Sequence, residues 1–296
     1  MTMSRPPLSL ARFALVAIFT VTGAVGACAS GPATRAQSPT DLARMKMAEE
    51  LVSRGDWQEA FGLLTELHQQ RPGDPEVLTL RGVVYRERGL LPDAENDLRA
   101  ALRLAPALPD AHAALGILFD MQMRPGAEAE HREAVRLAPN NPVYLNNLGF
   151  SLFLREHFKE AIREYEKAAR IAPLSHRVRT NMGYAYAALG DLPSAAREFR
   201  MGGSEVDATN NLGFAYERRG DMANAFDLYL QAVRLDPTAL RPRSNLLHAA
   251  LVLGRPVPAE VAAAPAPVSS PASPSASAAS PSASAPALSK EPVATP

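Results

Sequence analysis

An all-α fold, a right-handed superhelical solenoid of about six stacked helical hairpins with a C-terminal capping helix, is what this sequence predicts. Three observations carry that prediction. Glycine recurs in phase at Gly82, Gly116, Gly149, Gly183 and Gly213, each preceded by Leu, Met or Arg and followed three positions on by Tyr85, Phe119, Leu152, Tyr186 or Tyr216. Small residues recur behind them, with Ala94, Ala161, Ala195 and Ala225 twelve positions after their glycines and Ala101, Ala168, Gly202 and Ala232 nineteen after. Pro72, Pro106, Pro139, Pro173 and Pro237 then close the units. Gly in a first helix and Ala in a second remove bulk where two helices cross, and the aromatic three residues after the glycine is expected to fill the remaining gap. The turns at Arg88-Gly89 and Leu189-Gly190-Asp191 supply residues that tolerate left-handed dihedrals, and each closing Pro ends a second helix.

Taken in order, the chain opens with Arg5 and Arg12 ahead of an uncharged apolar stretch, residues 13–25. At about 13 residues that stretch suits the apolar core of a secretory signal and is too short to span a bilayer. It ends in Val25-Gly26-Ala27-Cys28, which resembles the lipobox of bacterial lipoproteins, with the only cysteine of the chain in the acylated position. The resemblance implies a signal peptide over residues 1–27, lipidation at Cys28, and, from Ala29 rather than Asp after it, the outer membrane on its periplasmic side. The alternative is an ordinary signal peptide with a coincidental cysteine. Several acyl chains anchor a protein stably, each buried CH2 contributing about 0.8 kcal/mol. Residues 28–40, rich in Ala, Ser, Pro and Gly, read as a flexible tether.

Residues 41–254 carry the repeats, which match the tetratricopeptide pattern of helix-turn-helix units about 34 residues long. Six units are expected at 41–74, 75–108, 109–141, 142–175, 176–205 and 206–239, with a capping helix over 240–253. The first unit diverges, with Ala48 at the glycine position and Trp57 opening its second helix. In the third, the interval from Gly116 to Ala127 is one residue short, which predicts a tighter turn around Arg124-Pro125-Gly126. The fifth lacks a closing Pro and runs four residues short between Gly202 and Gly213, about one helical turn, which predicts a local change of superhelix pitch. Residues 255–296, written in Pro, Ala and Ser, bury too little apolar surface to order and read as a disordered tail.

Composition excludes several functions. The chain has 296 residues, with 31 basic and 31 acidic side chains. That balance argues against nucleic-acid binding, which needs concentrated Lys and Arg. A lone cysteine supplies neither an intramolecular disulfide nor the paired thiolates of a zinc or redox site. His68, His112, His131, His157, His176 and His248 form no metalloprotease pattern and read as surface imidazoles. No phosphate loop or nucleophile elbow occurs, and acidic pairs such as Glu49-Glu50 lie on helices without a cleft-forming scaffold. No enzyme, no cofactor, no metal and no small-molecule substrate is expected.

What remains is protein binding on the first helices of the solenoid. Asn147, Asn181, Asn211 and Asn245 fall two residues before the glycine position or its equivalent, forming a column of amides able to grip a peptide backbone. Phe150, Tyr184 and Phe214 directly follow the glycines as a parallel aromatic column. Both columns can equally serve packing between helices. Arg177, Arg179, Arg241 and Arg243 add basic groups to the same half.

A lipobox ahead of such repeats, with runs like Asn210-Asn211-Leu212-Gly213-Phe214-Ala215-Tyr216 and Arg219-Gly220-Asp221, resembles the tetratricopeptide lipoproteins of bacterial pilus assembly, in particular the TadD type of the Tad (Flp) pilus. The resemblance implies a lipid-anchored outer-membrane scaffold that assists a secretin or another pilus component by holding a segment of it, without turnover. A periplasmic adaptor for cell-wall or envelope enzymes and a type IV pilus pilotin are the alternatives.

Overall fold

The computed structural model describes residues 39–262. The expected signal peptide, Cys28, most of the expected tether and nearly all of the expected tail lie outside these residues. The described residues form fourteen helices and no strand, and fall into two compact units that meet at Asp97 and Leu98, within one helix.

The first unit holds α1 (Pro39–Arg54), α2 (Trp57–Gln70), α3 (Pro75–Glu87) and the start of α4 (Leu91–Leu104). Helix α3 packs on both α1 and α2. Pro75 sits at the first turn of α3, where its missing N–H costs nothing, and the Asp74 carboxylate accepts from Glu76 N and Val77 N. Ala48, at the glycine position, is fully buried together with Leu64 and Leu67. A bidentate pair from Arg81 Nε and Nη2 to the Asp97 carboxylate, at 2.6 and 2.9 Å, ties α3 to the start of α4.

The second unit continues with α5 (Pro109–Met121), α6 (Ala127–Leu137), α7 (Pro142–Leu154), α8 (Phe158–Ile171), α9 (His176–Leu189), α10 (Leu192–Gly202), α11 (Glu205–Arg218), α12 (Met222–Leu235), α13 (Leu240–Leu253) and the short α14 (Ala259–Ala262). From α5 to α12 each odd-numbered helix packs on the next even one, which packs on the following first helix, and first helices also touch in series, α5 to α7, α7 to α9, α9 to α11 and α11 to α13. This is nearest-neighbour stacking, in which each hairpin covers the open side of the one before. Gly190 and Gly220 end first helices with φ of 92° and 83°. In the fourth hairpin Glu156 takes that left-handed role with φ of 62°.

The glycines do make room for rings, but for different rings than expected. A Cβ on Gly149, Gly183 or Gly213 would stand 2.5–2.8 Å from the ring of Tyr165, Phe199 or Tyr229, which comes from the second helix of the same hairpin sixteen residues on. The residue three positions after the glycine lies about one turn along the same helix, and the space over the glycine itself is taken by the ring that enters from the facing helix. On Gly116 the Cβ would meet His131 at 2.7 Å, fifteen residues on, in keeping with the residue missing from that hairpin.

In the two irregular hairpins the missing length falls on the second helix, α6 or α10, of 11 residues each. The connection between α5 and α6 is longer than its counterparts, not tighter. Met123 and Gly126 both adopt positive φ, 52° and 97°, and α6 starts late, so the missing length comes out of the helix. In the fifth hairpin α10 has 11 residues where α8 and α12 have 14. It ends close against the start of α9, where a Cβ on Gly202 would meet Arg179 Cβ at 2.6 Å. After α13 the chain folds back rather than entering a tail at once. Arg255 pairs with Asp227 at 2.8 Å, and Val257 and Val261 pack on the cluster around Phe226, Tyr229 and Leu246.

Candidate protein-interaction face

In the second unit the Asn and aromatic positions of the first helices α7, α9 and α11 lie three residues apart on one helix side, and Asn245 on α13 continues the Asn register. Asn181 Nδ2 on α9 donates to Asn146 Oδ1 on α7 at 3.0 Å, and Asn245 Nδ2 on α13 donates to Asn210 Oδ1 on α11 at 2.9 Å. The partners are therefore the first members of the doublets Asn146-Asn147 and Asn210-Asn211, which composition alone did not single out. Asn147 and Asn211 are buried, whereas Asn181 and Asn245 remain half-exposed. Each of these bonds leaves an amide carbonyl and a second N–H on the half-exposed member, so the ladder retains groups that can meet a guest backbone.

The aromatic positions interlock with it. The Tyr184 hydroxyl donates to Asn211 Oδ1 at 3.0 Å, and its ring meets Phe214 edge-on at 5.8 Å and Phe199 at 5.0 Å. Burial pushes the Tyr184 hydroxyl well above the usual phenol range, opposed by the nearby Arg241 charge and reinforced by Asp207. Phe150 occupies the same register on α7, half-exposed. Upstream, the Tyr144 hydroxyl donates to Asp110, whose carboxyl is raised chiefly by burial.

The four arginines divide into two kinds. Arg179 and Arg243 cap the loop six residues before them, donating to Pro173 O at 2.9 Å and to Pro237 O at 3.2 Å, and Arg179 also pairs with Glu198 at 2.8 Å. His112 makes the same contact with Pro106 O at 2.9 Å. These are structural contacts at one repeated register. Arg177 and Arg241 sit two positions earlier on their helices. Desolvation alone holds the Arg177 guanidinium below its ordinary value, and Arg241 is exposed.

His131 corrects the surface reading, whereas His68 and His112 are half-buried and His157, His176 and His248 are exposed. His131 is fully buried under Gly116, with Nε2 at 3.0 Å from Asp120 Oδ2. His112 lies 2.6 Å from Glu130, and His176 bonds Gly202 O. The Asp120 carboxylate further accepts from Ser151 Oγ at 3.0 Å and from Arg155 Nη1 at 2.7 Å. Asp120, His131 and Ser151 thus gather three residue types of a hydrolase triad, but the hydroxyl donates to the carboxylate, not to the imidazole. All three are buried, and their geometry is that of a core tie between the third and fourth hairpins. His131 stands in the column of Tyr165, Phe199 and Tyr229, and that spacing is the signal that marks it as core.

Sequence families described as tetratricopeptide repeat match residues 51–118, 142–175 and 180–239, together more than half of the chain. The chain carries tetratricopeptide repeats. Among relatives, the type IV pilus assembly protein PilF of Pseudomonas aeruginosa is 34% identical over 105 residues, which is 34% of this chain and 42% of that protein. The BBSome complex member BBS4 of Bos taurus is 25% identical over 224 residues, 72% of this chain and 41% of that protein. The chain thus spans about two fifths of the length of these relatives. Among solved structures, that of PilW, titled a widely conserved type IV pilus biogenesis factor, superposes with a TM-score of 0.60 at 16% identity, covering 71% of this chain and 99% of PilW. The structural likeness carries the tetratricopeptide fold, and the two curated relatives belong to unrelated assemblies. No described helix is long and apolar enough to cross a membrane.

Proposed function

We propose that this tetratricopeptide protein is a non-catalytic scaffold of bacterial pilus assembly that holds a segment of a protein partner on the first-helix face of α7, α9, α11 and α13. One observation carries the reading. Amides and rings line that face in register, with Asn181, Asn245 and Tyr184 half-exposed while hydrogen-bonded to a neighbouring hairpin and the half-exposed Phe214 ring edge-on to Tyr184. A preorganised row of this kind meets an extended backbone without first paying to order its own side chains. The similarity to PilF supports the pilus setting. The finer reading is a lipoprotein of the Tad (Flp) type, acylated at Cys28 and held at the outer membrane on the periplasmic side, with a secretin or another pilus component as guest. Anchoring would raise the local concentration of the scaffold where the guest assembles.

The test combines location and capture. A strain lacking the protein should lose surface pili and regain them with the natural chain but not with Cys28→Ala. Crosslinking in membranes should recover an assembly component with the natural chain and much less with Asn181→Ala combined with Asn245→Ala, the two half-exposed amides, at unchanged helical circular dichroism. Intact piliation without the protein would remove the pilus reading. Undiminished capture by the double variant would remove the face.

A further inference from the structure

The last first helix, α13, leaves its outer side uncovered in an unusual way. Its register follows from Asn245, so Leu247 occupies the place held by Gly149, Gly183 and Gly213 in the preceding hairpins. At those glycines a ring of the hairpin's own second helix comes so near that a Cβ would stand 2.5–2.8 Å away. The Leu247 side chain bars such an approach, and no full second helix follows among the described residues. The chain turns at Gly254, with φ of 60°, and returns over α12 through Val257 and Val261. An apolar ridge is left in the open. Leu240 is 83% exposed, Leu247 57% and Leu251 82%.

The ridge has the spacing of a helix-pairing seam. Leu240, Ser244, Leu247 and Leu251 follow one another at intervals of four, three and four, the stripe that meets an equivalent stripe at a crossing of about 20°. Its area also speaks to the occupant. The exposed apolar surface is on the order of 500 Å2, at the upper end of what a monomer leaves open. Two such ridges together bury on the order of 1,000 Å2, the low end of specific interfaces and enough for a weak, concentration-dependent pair. Charge then selects the orientation. Helix α13 carries Arg241 and Arg243 near its start and no acidic residue. Parallel pairing would stack these cations, whereas antiparallel pairing sends them to opposite ends. With the two-fold axis between Leu247 and His248, Leu251 of one copy enters the gap above Ser244 of the other.

We propose that α13 is a homodimerisation helix that pairs antiparallel with α13 of a second copy through Leu240, Leu247 and Leu251. The experiment uses the full chain in membranes, carrying single added cysteines and treated with a bis-maleimide that spans about 10 Å, with the natural chain as control for Cys28. Leu247→Cys lies near the axis and should give a species of twice the mass. Leu240→Cys would be separated from its copy by about 22 Å along the helix and should give about a tenth as much. Adding Leu251→Lys to Leu247→Cys sets a cation beside Arg241 and Arg243 of the other copy and should cut the dimer about tenfold, with circular dichroism unchanged because the side chain is exposed. Equal yields at positions 240 and 247 would overturn the antiparallel pair. So would an adduct to a different protein, indifference to Leu251→Lys, or a dimer that forms only after the chain is cut following residue 262, which would make the tail the occupant.

Discussion

The third and fifth hairpins fill the same slot with opposite chemistry. In the fifth, Phe199 lies under Gly183 and asks nothing of its surroundings but shape. In the third, the ring under Gly116 is His131, whose Nε2 is met by Asp120, an acid four residues after the glycine. The sixth hairpin uses the polar solution too, with the Tyr229 hydroxyl donating at 2.7 Å to Glu217, again four residues after its glycine. The fourth shows what happens when the acid is missing. Phe153 stands at that place, and the Tyr165 hydroxyl is buried without a partner, held far above the usual phenol range by burial and by Asp120 from the preceding hairpin. The comparison teaches that glycine sets the slot, and that the residue one turn later decides whether a polar ring lying in it finds a partner.

The comparison can be broken where it is most heavily bonded. Asp120→Ala strips His131, Ser151 and Arg155 of a shared buried acceptor and should cost about 3 kcal/mol, read in urea unfolding; the corresponding Ala187, already apolar beside Phe199, marks the fifth slot as indifferent to such a group. A cost below 1 kcal/mol would mean the carboxylate is replaceable by water. Gly183→Ala comes next. Phe199 is fully buried and cannot swing aside, so a Cβ at 2.5 Å should cost about 2 kcal/mol and lower the melting temperature by about 4–8 °C. The smallest effect has the other sign. Glu156→Gly relieves a left-handed dihedral at the turn where other hairpins carry glycine, and should stabilise the chain by about 1 kcal/mol.

Much of this was legible because glycine is the only residue that tolerates so close a ring, so its recurrence at Gly116, Gly149, Gly183 and Gly213 marks the hairpins without any knowledge of their partners. The closing prolines worked for the same local reason, as Pro139, Pro173 and Pro237 each follow the cap residue of a second helix. What filled each slot was not legible from local pattern, since the ring arrives from another helix and the match depends on how the two lie together. The Asn column shows the same limit. Asn181 and Asn245 stood out by register, but their partners Asn146 and Asn210 lie 35 residues back and appear only when neighbouring hairpins stack. The late start of α6 escaped because Met123, an unpromising residue for positive φ, carries part of the turn.

The account rests on a guest held by the first-helix face, and a photoreactive residue placed there tests it directly. Installed at position 181 on α9 it should capture one assembly component in intact cells, while the same residue at position 132, an exposed site on the second helix α6, should capture little or none of it. Capture of that component from position 132 but not from position 181 would contradict the account.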